Sequence, residues 1–174
     1  MDKLHKMIYE ELLIKEGFKN EILDDVVLNK NIYYHVTNEK VLDVGINTSQ
    51  EKLVTFSPFY SIDKKQLNIS PGFIYLFKNS KQGLRMSLNA AIKLEKILVK
   101  IVIPEDRIVL DADQLRFHPF IDGSSLNWDE AQYYIESHEE LKNELEKLPY
   151  RATPYKIETY QILEVLYNSK NYRK

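Results

Sequence analysis

Apolar residues recur at helical spacing near the start of the chain. Leu4, Ile8 and Leu12 are four apart with polar residues between them, which predicts a helix over 2–16 with Asp2 as its cap and Gly17 as its stop. A shorter helix is expected to follow, with Ile22, Leu23, Val26 and Val27 as its apolar face. The pattern then changes to β-branched and aromatic residues. Ile32-Tyr33-Tyr34-His35-Val36 predicts a strand ended by Thr37-Asn38, and 38–43 a short helix closed by Gly45. Residues 47–71 carry no clear element, and unstructured stretches that long are often functional.

Gly72 to Phe77 predicts a second strand. Asn79 and Ser80 can cap a helix over 81–95, whose face is Leu84, Leu88 and Ala91. Along 97–103, Ile97, Val99, Ile101 and Ile103 alternate inward against Leu98, Lys100 and Val102. Pro104 ends that run, and 107–110 reads as a further short strand. One long helix is expected over 128–148, with a stripe of Trp128, Ala131, Tyr134, Ile135, His138, Leu141, Leu145 and Leu148. Asn127 and Glu130 form its capping box and Pro149 its stop. The last strand is expected over 155–166, with Ile157, Thr159, Gln161 and Leu163 on one face. Strands and helices do not alternate regularly, so the class is α+β rather than a doubly wound parallel sheet.

Composition narrows the chemistry. A chain of 174 residues predicts a single domain. It divides into an N-terminal helical layer over 1–30, a core over 31–168 and a basic tail over 169–174. The formal net charge of −2 argues against nucleic acid or an anionic membrane as the main partner. The absence of cysteine excludes disulfide scaffolds, thiolate-bound metals and cysteine nucleophiles. Five glycines, with neither a Walker pattern nor GxGxxG, set aside the common nucleotide-binding loops. No apolar run approaches the ~18 residues of a membrane span. A soluble cytoplasmic protein is expected.

Few residues then stand out. No pair among His5, His35, His118 and His138 has the i, i+4 spacing of a helical metal site, and a site from His118 and Asp122 has no further support, so no metal is expected. His138 reads as a half-buried helix residue and His5 as a surface one. His35 stands in an apolar strand, where it is either a core histidine with one hydrogen-bond partner or a donor facing a cleft. Tyr75 lies mid-strand, and a phenol ring is a stacking surface for a planar heterocycle. Glu158 interrupts the apolar-rich final strand, pointing either to water or to a site.

The order of these residues resembles the ADP-ribosyltransferase fold, in the branch with a His-Tyr-Glu triad. Tyr34-His35-Val36-Thr37 resembles its first motif, and Val41-Leu42-Asp43-Val44-Gly45-Ile46 the short helix and turn after it. Gly72 to Ser80 resembles the second motif, a strand leading into a Ser-capped helix, and Glu158 the third. The resemblance implies split antiparallel sheets around a cleft that binds NAD, with no metal. It implies that His35 holds the adenosine ribose with Thr37 close by, that the Val36 backbone clamps the nicotinamide amide, and that Tyr75 stacks on the nicotinamide. Glu158 would favour the cationic sugar as the nicotinamide–ribose bond breaks. ADP-ribose would pass to a macromolecular or small-molecule acceptor.

The chain departs from the pattern in three places. Val36 stands where a glycine is usual, Met86 where some members carry a second stacking aromatic, and Lys156 where Arg-modifying members carry Glu or Gln. Arg107 to Asp113 and Leu148 to Pro154 also resemble the rifampicin ADP-ribosyltransferases, which use a central Asp; Asp111 is the candidate third residue in that case. A turn aspartate is the alternative for Asp111. Rival functions are a non-catalytic interaction module on the same fold, an RNA 2′-phosphotransferase-like enzyme, which needs convergent arginines, and an interaction protein using the acidic segment 128–148.

Overall fold

Asp2 caps the first helix by accepting from the backbone N–H of His5. The computed structural model describes residues 2–18, 30–48, 72–117 and 126–172. Its helices are α1 (Lys3–Lys15), α2 (Val41–Val44), α3 (Lys81–Lys93), α4 (Trp128–Glu136) and α5 (Glu139–Lys147). Its strands are β1 (Ile32–Thr37), β2 (Ile74–Lys78), β3 (Ile97–Val102), β4 (Val109–Leu110), β5 (Tyr150–Thr153) and β6 (Ile162–Asn168). The strands form one antiparallel sheet in the order β4-β5-β2-β1-β3-β6. The class is α+β, as the irregular order of elements predicts.

The pairing is uneven. β1 pairs with β3 along all six of its residues, from Ile32↔Val102 to Thr37↔Ile97. β2 pairs with β5 at four positions, from Ile74↔Thr153 to Phe77↔Tyr150. Between β1 and β2 the only pairs are Tyr33↔Lys78 and Tyr34↔Phe77. The ladder between the two central strands therefore stops where β1 reaches His35 and β2 has its first three residues still to pair.

Three apolar clusters hold the sheet. Tyr34, Val36 and Leu98 pack under α1 and α3 with Ile8, Leu12, Leu84 and Leu88. Tyr75, Tyr150 and Ala152 pack under α4 and α5 with Trp128, Ile135, Leu141 and Leu145. Tyr33, Ile74, Leu76, Val99 and Ile101 face the other way, toward Val41, Ile46 and Ile157. Leu98 is thus buried as fully as its neighbours Ile97 and Val99, because α1 and α3 cover the face it was expected to leave to polar residues. The described N-terminal helix, α1, packs beside α3 on this face of the sheet through Ile8 and Leu12.

The expected helix over 128–148 is two helices. The capping box of Asn127 and Glu130 opens α4, and the stripe is buried at Trp128, Ala131 and Ile135. The Tyr133 carbonyl then accepts both the N–H and the Oγ of Ser137, while the His138 ring takes the Tyr134 carbonyl and the His138 N–H turns to the Ile135 carbonyl. His138 adopts an extended backbone as the N-cap position of α5, exposed and stacked on Tyr134 at 4.0 Å. Its expected half-burial is not what the structure gives.

The expected last strand over 155–166 is also corrected. β5 precedes it and ends before Pro154, which has no N–H to continue a ladder. Ile157 bridges Ile46, Thr159–Gln161 is a 3₁₀ turn, and only then does β6 begin. Thr159 and Leu163 are exposed while Ile157 and Gln161 are buried, so the four do not share a face. The strand expected over 107–110 shortens to Val109–Leu110 behind a 3₁₀ turn at Glu105–Arg107. The expected helix at 22–27, nearly all of the irregular segment after 47, and His118 with Asp122 lie outside the described residues.

Gly45 ends α2 with φ of +79°, and a Cβ built there would meet the Ile157 carbonyl oxygen at 2.5 Å. Gly45→Ala is expected to destabilise the fold by about 2 kcal/mol, since left-handed backbone and a backbone clash act together. A denaturant titration checks this; an unmoved midpoint would show that the bridge yields easily.

Candidate functional site

Where the central ladder stops, a side chain spans the gap. His35 is fully buried, and its Nδ1 lies 2.7 Å from the backbone carbonyl oxygen of Tyr75. A carbonyl only accepts, so Nδ1 carries the hydrogen and Nε2 is the acceptor in the neutral ring. His35 follows Tyr34 and precedes Val36, both of which face the helices, so strand alternation turns His35 toward the opposite face. Tyr75 faces the helices. The two residues meet through the Tyr75 backbone, not ring to ring.

The Tyr75 phenol leads to an acidic pair. Its hydroxyl donates to Asp113 Oδ2 at 2.6 Å, and its ring meets Trp128 edge-on at 6.3 Å between centroids. Asp113 lies in the 3₁₀ segment Ala112–Phe117 that follows β4, with Asp111 at its head. Asp111 Oδ1 accepts the backbone N–H of Asp113 at 3.0 Å, and Asp111 Oδ2 accepts from Gln114 Nε2 at 3.2 Å. All three are buried: Asp111 is 3% exposed, Asp113 1% and Gln114 1%. α4 closes this site with the apolar side chains of Trp128, Ala131 and Ile135. Phe73 stacks on Trp128 at 3.8 Å.

The pair has an electrostatic consequence. Burial first, and the charge of Asp113 second, push the Asp111 carboxyl up to about 7; the bonds from Gln114 and the Asp113 N–H, with the Arg151 charge, pull it down. Arg151 itself spends its guanidinium on the carbonyls of Glu146, Leu148 and Tyr150, which ties the end of α5 to β5.

A group with a raised folded-state pKa holds its proton longer in the fold than in the open chain. Between about pH 4 and pH 7 the folded chain binds the extra proton, so stability falls as pH rises through that window. At about 1.4 kcal/mol per pH unit of difference, the loss is on the order of 2–4 kcal/mol by pH 8. Asp111→Asn is expected to flatten that slope and to be the more stable protein at pH 8. Unfolding midpoints from pH 4 to 8 check it, and equal slopes for both proteins would contradict it.

The remaining candidates lie elsewhere. Val36 is buried under α1 and α3, and Thr37 is buried at the end of β1. Glu158 precedes β6 and is not in it; its carboxylate takes part in a capping box with Gln161 and lies 3.7 Å from Lys156 Nζ. Nearly half of that side chain is exposed. The structure therefore gathers His35, Tyr75 and Asp111 along one line and leaves Glu158 out of it. Met86 accepts from the Tyr150 hydroxyl at 3.8 Å. Sequence reasoning missed Asp113, Gln114 and Trp128 as members of the site; the only signal was the Asp111-Ala112-Asp113 spacing, which resembles an ordinary turn.

Among the described residues no group of three or more His, Cys, Asp or Glu is placed to hold a metal, and no helix is long and apolar enough to cross a membrane. No family model, curated protein or solved structure matches the chain.

Proposed function

We propose that the chain is an NAD-dependent ADP-ribosyltransferase whose acidic group comes from the Asp111–Asp113 pair rather than from Glu158. The observation that carries this reading is the Tyr75–Asp113 hydrogen bond beside the point where β1 and β2 stop pairing at His35. The imidazole and the phenol leave opposite faces of the one sheet here, so this reading requires the dinucleotide to reach both around the end of the β1–β2 ladder.

The reaction needs little from the protein beyond placement and charge. The nicotinamide–ribose bond breaks with its electron pair leaving on nicotinamide, and positive charge develops on the sugar, as in glycoside cleavage. An acceptor nucleophile adds to that carbon and releases its proton. A carboxylate held in place at the developing cation lowers the barrier, and Asp113 is held by the Tyr75 hydroxyl. His35 and Tyr75 bind and orient the dinucleotide. The acceptor is a macromolecule or a small molecule. Incubation with NAD tests the reading: released nicotinamide supports it, and none at any pH defeats it.

A second reading, a non-catalytic module on the same architecture, draws on the burial of His35, Tyr75, Asp111 and Asp113, none of which exceeds 4% exposure. Access for a ligand then entails local opening. Thermal stabilisation by NAD without nicotinamide release would favour that module. An RNA 2′-phosphotransferase has less support: Arg151 is bound to carbonyls, Arg107 lies over the Tyr155 ring at 5.0 Å, and Arg85 is exposed.

A further inference from the structure

Gln114 has one polar atom without a partner. Its Nε2 donates to Asp111, but its Oε1 is buried and makes no hydrogen bond, although the side chain is almost fully enclosed. A buried acceptor left unmet is costly and asks for an explanation. With nothing holding Oε1, the amide is free to turn by half a revolution, which exchanges Oε1 and Nε2 at nearly the same positions. In that orientation Oε1 faces Asp111 Oδ2 and accepts a hydrogen bond from its protonated form, while Nε2 moves to the position Oε1 held.

We propose that Gln114 is a positioning residue that reads the protonation of Asp111: one amide orientation donates to the ionised carboxylate, and the other accepts from the carboxylic acid. The Asp111–Asp113 pair then carries one more negative charge in the first state than in the second. Asp113 keeps its bond from Tyr75 in both.

The surroundings leave the exchange to these groups. Asp111 meets Asp113 and Gln114 from its own segment and the Arg151 charge from β5. Tyr75 reaches Asp113 from β2, and α4 contributes the apolar Trp128, Ala131 and Ile135. With Asp111 so enclosed, its acid form meets Gln114 Oε1 as an acceptor once the amide has turned. The raised proton affinity of Asp111 places the exchange near neutral pH.

The inference rests on the site assigned above, but its primary readouts do not need NAD. Trp128 is the chain's single tryptophan and lies edge-on to Tyr75, so its emission reports on the cluster. In the wild type, Trp128 emission and the Gln114 side-chain amide signals in ¹⁵N NMR are expected to titrate together, with one midpoint near neutral pH. Asp111→Asn is expected to abolish both transitions.

Amide signals of Gln114 that stay constant from pH 5 to 9 in the wild type overturn the proposal, whether or not any variant folds. Nicotinamide release, if present, should rise with pH through the same midpoint, because ionisation of Asp111 adds negative charge near the cationic sugar. Linked titrations without any release would uphold the switch and defeat the enzyme reading alone.

Discussion

Asp113→Asn is expected to slow nicotinamide release about 100- to 1,000-fold with little change in KM for NAD. Removing one preorganised charged or hydrogen-bonding contact from a water-poor site costs that much when the contact matters chiefly in the transition state. Asparagine keeps the size of the side chain and still accepts from the Tyr75 hydroxyl, so the packing around Trp128 should survive. What is lost is the fixed charge beside the sugar. Glu158→Ala should leave the rate within about twofold, because among the described residues Glu158 bonds with Gln161 and pairs with Lys156 at the surface. Steady-state rates for the two variants decide between the acids. A large loss at Glu158 with little at Asp113 would reverse the assignment.

Gly83→Ala is expected to destabilise the protein by about 3 kcal/mol, lowering its melting temperature by roughly 6–12 °C. Helix propensity alone gives the opposite sign, a gain of about 1 kcal/mol for alanine over glycine inside a helix. The decisive fact is contact. A Cβ at Gly83 would lie 1.9 Å from the Lys78 carbonyl oxygen and 3.0 Å from its carbon, and both belong to backbone. Gly83 also donates its N–H to Ser80 Oγ, the cap of α3. The first turn of α3 is therefore seated on the end of β2, the strand that carries Tyr75. Chemical denaturation of the variant measures the cost; a stabilised Gly83→Ala would mean that α3 shifts freely and does not fix β2.

Much of this architecture is legible in the sequence, for local reasons. The β-branched and aromatic run at 32–36, the Ser80 cap, the Asn127–Glu130 box and the Gly45 stop each act within a few residues, and each appears where its chemistry places it. The long helix divides at His138, whose ring takes the Tyr134 carbonyl while its N–H turns to Ile135, which a stripe of apolar positions does not register. Around 155–163, alternation fits a strand on paper, yet Ile157 pairs with Ile46 and Glu158 opens a 3₁₀ turn. The acidic pair was hidden for a different reason. Two aspartates in a turn gain their chemistry only from Tyr75, Gln114 and Trp128, and β2, β5 and α4 bring that setting together from distant parts of the chain.

The most direct test of the account is a structure of the chain with a non-hydrolysable NAD analogue. The account predicts the nicotinamide ring against Tyr75, the sugar carbon next to it within reach of the Asp113 carboxylate, and the adenosine half on the His35 side of the opening between β1 and β2. A dinucleotide bound away from His35 and Tyr75, or with its reacting sugar beside Glu158, would contradict it.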